Sequence, residues 1–318
     1  MYRALFAATL GLVLWSEATA VLGQQEKLAF LPVVGGFSSF DTGLLRGKMK
    51  LDGKYQGIAS IVHAPTGMEL AKAPGLLSYY RVFAADTRYG KAARDWPQSV
   101  RILENGGLEV HFAPGEDHPL DLTGVFRWVA PDTLDLETVV RPQVAMPQME
   151  VFLSSYVVAG FDALVYVKPN RFTKGKPPEF MRADWCELFD GNYLVFPRDR
   201  ESLLMIYDRR WELPPSPVTW AFTRYLAEPI ALRRHSESGI TVAWMSPPRD
   251  CFAMLTPYNK EPPDNVAGHS SIYLSLFGQN VGANETVRAH CRVVIGKDLD
   301  NEQILDRYAK YLAERTGK

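Results

Sequence analysis

Cysteine is scarce in this chain, with three in 318 residues, and no two of them are spaced as metal ligands. Pairing two would leave an odd thiol. The segments around Cys251 and Cys291 are apolar, which admits either a bridge between them or buried free thiols. Short catalytic signatures are missing too. The sequence has no Gly-rich phosphate loop, no His-Glu-x-x-His, no Gly-x-Ser-x-Gly and no Cys-x-x-Cys. These absences disfavour nucleotide chemistry, zinc proteolysis and common serine hydrolysis, and the sequence calls for no cofactor and no metal. Excess charge of either sign is also lacking. A formal net charge of −1 argues against a nucleic-acid partner, which normally meets a basic stripe or patch. After the first twenty residues no apolar run is long enough to cross a bilayer. Internal repeats and low-complexity tracts are absent, and helical periodicity is nearly confined to the C-terminus.

What the sequence does contain is alternation. Leu120, Leu122, Phe126 and Trp128 fall on one face of an extended segment, with Asp121, Thr123 and Arg127 on the other. Beyond Ala130-Pro131-Asp132 the pattern resumes, with Leu134 and Leu136 set against Asp135 and Glu137. A period of two sustained over such lengths predicts antiparallel sheet with one buried face. Similar runs cover 44–51, 55–63, 76–84, 100–103, 108–112, 149–157, 203–207, 240–245, 252–256, 271–277 and 286–295. Asn105-Gly106 between two of them is a hairpin signal. Paired residues share a face, so Trp128 is expected opposite Leu134 or Leu136 across an odd-numbered loop. Arg127 then faces Asp135 or Glu137 as a cross-strand ion pair. At the C-terminus Asp298 or Asp300 can cap a helix whose stripe is Ile304, Leu305, Tyr308 and Leu312.

The expected organisation is an all-β, large antiparallel β-sandwich over 21–297, closed by a C-terminal helix over 298–318. Residues 168–217, rich in Pro and charge, read as a loop-rich insertion over the sandwich. Residues 1–20 read as a secretory signal. Arg3 precedes an apolar run from Ala4 to Trp15, and Ala18-Thr19-Ala20 is a small-residue cleavage site. Export to the periplasm or the extracellular space is the corresponding expectation.

Two segments break the inside–outside rule. In 149–157, Glu150, Phe152, Ser154 and Tyr156 share one face; in 76–84, Leu77, Tyr79, Arg81 and Phe83 do. Charges among large aromatics fit either a semi-buried surface on which sugar rings stack, or an internal Arg–Glu pair beneath a loop. His63, His111 and His290 read as solvated surface residues. His118, His235 and His269 fall in loops or at strand ends, where function concentrates. Trp185, between Asp184 and Glu187, reads as a sugar platform or as a pin holding a loop to the core. The candidate carbohydrate-binding residues are therefore Tyr79, Arg81, His118, Glu150, Tyr156, Trp185 and His269. For proton transfer, His118 or His269 would work with Glu150, and Arg81 would stabilise charge at a sugar carboxylate.

Three segments carry a resemblance: Gly75-Leu-Leu-Ser-Tyr-Tyr-Arg-Val-Phe83, Phe126-Arg-Trp-Val-Ala-Pro-Asp-Thr-Leu-Asp-Leu-Glu-Thr138 and Glu150-Val-Phe-Leu-Ser-Ser-Tyr156. They resemble exported bacterial proteins of the planctomycete type, of unassigned function, whose sandwich is similar to that of galactose mutarotases and of the matching domains in polysaccharide lyases. The resemblance implies a galactose mutarotase-like supersandwich and a carbohydrate ligand on one sheet face. It transfers no catalytic residue, because the mutarotase Asn-His-Ser/Thr-Tyr-Phe-Asn-Leu-like segment is absent. The expected partner is thus a carbohydrate, processed if the chain is a lyase or epimerase. The alternative is a non-catalytic interaction module of the cell envelope, working through exposed apolar side chains.

Overall fold

The computed structural model describes residues 28–214, 219–258 and 270–316. The chain enters through a four-stranded antiparallel sheet, β1 (Phe37–Asp41), β2 (Leu45–Lys50), β3 (Gly57–His63) and β4 (Met68–Glu69). It then weaves between two large sheets. β5 (Ser78–Ala84) and β6 (Thr87–Tyr89) join a seven-stranded sheet, and β7 (Ser99–Ile102), β8 (Leu108–Phe112), β9 (Leu120–Ala130) and β10 (Thr133–Pro142) a nine-stranded one. β11 (Met146–Val157) returns to the first; β12 (Phe161–Val167) and β13 (Glu179–Arg182) go to the second. β14 (Asn192–Pro197), helix α1 (Arg200–Ile206) and β15 (Trp220–Phe222) belong to the seven-stranded side, and β16 (Leu226–His235) and β17 (Ile240–Met245) to the other. β18 (Cys251–Tyr258) and β19 (Ser270–Val281) return once more, before β20 (Val287–Lys297) and helix α2 (Asn301–Thr316) close the fold on the nine-stranded side.

The strand orders are β13-β12-β16-β17-β20-β10-β9-β8-β7 and β15-β14-β18-β19-β11-β5-β6. Of the strands paired among the described residues, only β14 and β15 run parallel. The main core lies between the sheets, with Leu122, Phe126, Val242 and Trp244 from one and Val82, Val151, Leu153 and Leu274 from the other. The four-stranded sheet adds to this core where the Phe40 ring meets Trp128 at 4.8 Å. Polar ties also cross the interface. Trp244 Nε1 donates to Ser155 Oγ at 2.9 Å, and the Tyr79 and Thr138 hydroxyls meet at 2.9 Å. Arg233, buried, donates to Thr256 Oγ1 and to the Ser271 carbonyl, which gives these interior acceptors a partner they would otherwise need from water.

Each large sheet is covered on its second face as well. On the nine-stranded sheet, α2 lays Ile304, Tyr308 and Tyr311 over Ile230, Leu232, Met245 and Val294. On the seven-stranded sheet, Met205, Ile206 and Trp211 from the 200–212 segment pack on Phe83, Phe152, Phe252 and Tyr273. Coverage on both faces is why β17 and β18 are buried along their whole length instead of alternating.

The expected hairpin register is present, with Trp128 opposite Leu134 and Arg127 opposite Asp135. It arises differently from the three-residue loop: Ala130 pairs with Thr133, and Val129 is an extra, bulged residue that restores the facing. Asp135 forms its ion pair on the other side, with Arg292 of β20 at 2.6 Å, and Glu137 pairs with Arg288 at 2.6 Å. Within residues 168–217 the structure places β13, β14 and α1, with turns and irregular segments between them. Residues 203–207, read as a strand, are mostly helical. Asp199 caps that helix by accepting from the Ser202 amide at 2.8 Å, which commits the apolar run to a helix. His63 is buried against Thr66 rather than solvated, and His290 is largely buried between Asp250 and Glu137. All three cysteines are free thiols, with Cys251 and Cys291 buried. The apolar run read as a signal lies outside the described residues. Among those described, no helix is long and apolar enough to cross a membrane.

Candidate functional site

The second face of the seven-stranded sheet, turned away from the nine-stranded one, carries the densest aromatic and cationic cluster outside the main core. Alternation along β11 delivers Glu150, Phe152, Ser154 and Tyr156 to this face and Val151 and Leu153 to the core. β5 does not follow simple alternation. Val82 pairs with Val151, Arg81 with Phe152 and Tyr79 with Leu153, so Tyr80 is a bulged extra residue. The bulge divides the expected Leu77–Tyr79–Arg81–Phe83 face. Leu77 and Tyr79 turn into the inter-sheet core, while Arg81 and Phe83 turn to the second face. Tyr79 is therefore not a site residue; its hydroxyl is occupied by Thr138.

Aromatic rings tile the face. Phe152 stacks on Tyr273 with centroids 5.0 Å apart and planes at 25°, and Tyr156 meets Tyr273 edge-on at 6.0 Å. Tyr193 of β14 lies 5.8 Å from the same ring. The Tyr156 and Tyr273 hydroxyls are 3.1 Å apart, and the Tyr193 hydroxyl also hydrogen-bonds to Tyr273. Burial, together with the neighbouring phenols, pushes Tyr193 up to about 12 and Tyr273 well above its ordinary value. These phenols stay protonated near neutral pH and act as donors and acceptors, not as charges.

Cations gather at the β5 end. The guanidinium of Arg81 sits 4.5 Å from the Tyr80 ring centroid and donates to the Tyr80 hydroxyl at 3.0 Å. Arg94, held in a short 3-10 turn over Ala93–Asp95, lies 4.6 Å from the same ring and 5.2 Å from that of Tyr55. Its Nη1 reaches Ser154 Oγ of β11 at 3.3 Å. Burial alone would raise the Tyr80 phenol, but Arg81, Arg94 and Arg88 outweigh it and hold the group below its ordinary value. Arg88 in turn falls to about 10, chiefly through burial and then through repulsion by Arg81.

Glu150 is fully buried. Its carboxylate accepts from Trp211 Nε1 at 3.1 and 3.2 Å and from Arg210 Nη1 at 3.3 Å. Arg210 is itself fastened to Asp208 at 2.7 Å and to the Gln148 carbonyl at 2.8 Å. Burial pushes the Glu150 carboxyl above its ordinary value against the pull of Arg210. The internal ion pair foreseen for Arg81 and Glu150 is thus made by Arg210, and it fixes the 208–212 turn onto the sheet. The same pairing removes Glu150 from the expected proton-transfer couple with a histidine.

Of the remaining candidates, His118 stacks on Trp96 at 3.8 Å and bonds Asp117, within the aromatic group that includes Phe112. None of these contacts reaches Arg81, Glu150 or Tyr156. Trp185 is half-exposed and meets at 5.6 Å the ring of Phe189, which packs against the main core, and it belongs to a different segment from the aromatic face. His269 lies outside the described residues. The fold brings together Arg81, Glu150 and Tyr156 on one face and adds Tyr80, Arg94, Phe152, Tyr193, Arg210, Trp211 and Tyr273. Tyr273 was the one most open to detection, because Ser271–Phe277 alternates and places it with Ser271 and Ser275. No group of His, Cys, Asp and Glu able to hold a metal occurs among the described residues.

No protein-family model matches the chain, and neither does any curated protein sequence. Solved structures do. The Slr1438 protein of Synechocystis sp. PCC 6803 aligns over 85% of this chain and 99% of its own, with 12% identity and a TM-score of 0.51. A putative aldose 1-epimerase from Escherichia coli K12 aligns over 82% and 99% at 8% identity and a TM-score of 0.47. A GalM/aldose epimerase homologue from C. elegans aligns over 85% and 98%, again at 8% identity and 0.47. At such identities the likeness concerns the fold and leaves the chemistry to the side chains.

Proposed function

We propose that this protein is an exported carbohydrate-binding protein and that its binding surface is the second face of the seven-stranded sheet. The observation that carries the reading is the hydroxyl network joining Tyr156, Tyr193 and Tyr273 on that face, with Phe152 stacked on Tyr273; Phe152, Tyr156 and Tyr273 are buried and form the base behind the contact area. Aromatic planes cover the C–H faces of a sugar ring, while phenols and guanidinium groups exchange hydrogen bonds with its hydroxyls. Tyr80 and Tyr193 are partly exposed and supply the aromatic contact area at the rim. The reading rests on these side chains and not on the names of structural neighbours.

A glycan array probed with the mature protein tests this reading. Binding to a defined saccharide set that Tyr193→Ala abolishes, with an unchanged melting temperature, supports it. Absence of saccharide binding refutes it. A second reading, a cell-envelope interaction module, draws on the strong exposure of Phe172 and Leu188. Saturable capture of an envelope protein, lost on Phe172→Ser and Leu188→Ser and accompanied by a blank array, would favour that reading. Export is tested by fractionating cells that express the full chain: periplasmic or extracellular protein starting near residue 21 is expected, and intact cytoplasmic protein refutes it.

A further inference from the structure

We propose that the saccharide taken by this face is anionic, and that Arg94 and Arg81, flanking Tyr80, form the cradle for its carboxylate or sulfate. The inference rests on the carbohydrate reading above and specifies the ligand class.

Arg94 is the decisive residue. It is more than nine-tenths buried, and among the described residues it has no acidic partner. Its one side-chain hydrogen bond goes to the neutral Ser154 hydroxyl, at a long 3.3 Å. Its Nε is enclosed without a hydrogen-bond partner among the described residues. A buried guanidinium with an unused donor is costly unless something fills it. Ring faces of Tyr55 and Tyr80 supply part of the compensation, but they leave the in-plane donors unanswered.

The surroundings concentrate positive charge further. Arg81 makes the other guanidinium contact with the same Tyr80 ring, and Arg88 is near enough to help lower Tyr80 and to be lowered in turn by burial and by Arg81. The one carboxylate on this face of β11, that of Glu150, is already engaged by Trp211 and Arg210 and is not turned to Arg94. An oxyanion arriving beside Tyr80 would meet donors from Arg94 and the Tyr80 hydroxyl, in a region where burial strengthens each charge-assisted bond. A neutral hexose would leave that donor set unanswered. Carboxylates and sulfate esters both offer oxyanion oxygens of the required geometry.

Matched polymers test this. Isothermal titration of the full-length mature protein is run with polygalacturonate against its methyl ester, and with dextran sulfate against dextran. The expected result is binding to one acidic polymer at least about 10-fold tighter than to its neutral match, weakening as salt rises. The polygalacturonate arm identifies a carboxylate and the dextran sulfate arm a sulfate. Arg94→Gln should lower that affinity about 10-fold or more, with Arg94→Lys intermediate because it keeps the charge but loses the planar fork. If Arg94→Gln fails to fold, Arg81→Gln and the polymer ratios of the unmodified protein carry the test. Equal affinity for acidic and neutral members overturns the anionic cradle and leaves the carbohydrate reading standing. Tight binding to both polyanions that neither arginine variant changes also overturns the cradle, since the charge would then be read elsewhere. Failure to bind any of the four, together with a blank glycan array, overturns both.

Discussion

The clamp between Glu150 and the 208–212 turn gives the most demanding prediction. Replacing Glu150 by Ala strands two buried donors at once: Trp211 Nε1 loses its only acceptor among the described residues, and Arg210 keeps Asp208 and the Gln148 carbonyl of β11 but loses its fully buried counter-charge. Both Glu150 and Arg210 are fully enclosed, so water cannot compensate. Breaking a buried ion pair from one side costs about 3–5 kcal/mol. At about 2 °C per kcal/mol for a chain of this size, that is a drop of about 6–10 °C in melting temperature. Glu150→Gln should cost less, about 1–3 kcal/mol, because the amide oxygen still accepts from Trp211 while the charge opposite Arg210 is lost. Urea unfolding followed by tryptophan fluorescence measures both, and limited proteolysis after the 198–222 segment reads out its release from the sheet. A loss below about 1 kcal/mol for Glu150→Ala, with the proteolysis pattern unchanged, would refute the clamp.

Other expectations follow from buried polar groups. For His290, burial would lower its pKa, but hydrogen bonds to Asp250 and Glu137 outweigh that and raise it. A raised histidine stabilises the fold fully below about pH 6.5 and loses that contribution as pH climbs through its folded value. His290→Gln should therefore flatten stability against pH on that alkaline side, as followed by thermal melts across pH 5 to 9. Glu137, held down to about 2 by His290 and Arg288, acts oppositely. Its contribution persists above its ordinary range and fades as pH falls toward 2, so Glu137→Gln should lose stability at pH 7 and not at pH 2 in the same melts. Arg233→Met should cost about 2–3 kcal/mol in denaturant unfolding, because the Phe161 and Ser271 carbonyls lose a charged donor inside the sandwich; a more stable variant would contradict this account. Cys251 is pushed up to about 12 and Cys291 well upward by burial, so a thiol reagent should label only Cys186 in the native protein and all three after unfolding. Rapid native labelling of three thiols would contradict the packing.

How far the sequence revealed this molecule depends on which strands have a single buried face. β9 and β10 alternate cleanly, and even the partner of Trp128 could be narrowed to Leu134 or Leu136, because paired residues must share a face; the structure selects Leu134. β16 escaped reading because Pro229 interrupts it and Arg233 looks like a surface charge, although that guanidinium is consumed between the sheets. β14 is short, ends in Pro197 and is covered on both sides, so it shows no period at all. The site was legible along β11, where an unbroken alternation really does carry Glu150, Phe152 and Tyr156 to one face. It was misread along β5, because a bulge at Tyr80 reverses the facing halfway and no residue type announces it. Arg94 and Trp211 come from turns far away in sequence, and only the fold shows that they converge on β11.

The position of β20 has a consequence for how the chain comes together. It is the last strand, yet it lies in the middle of the nine-stranded sheet, between β17 and β10. Until it emerges, the strands from β7 to β10 and those from β12 to β17 are two separate ribbons, each presenting a raw edge of unpaired amides and carbonyls. Synthesis from the N-terminus therefore leaves the edge of β10 open to the wrong neighbour from its completion at Pro142, and that of β17 from Met245, until β20 begins at Val287. Pairings of such long sequence separation are slow to form. A chain built in this way gains by being kept extended until it is complete, and a lesion in β20 should do its damage as aggregation of newly made protein before any loss of finished stability is seen.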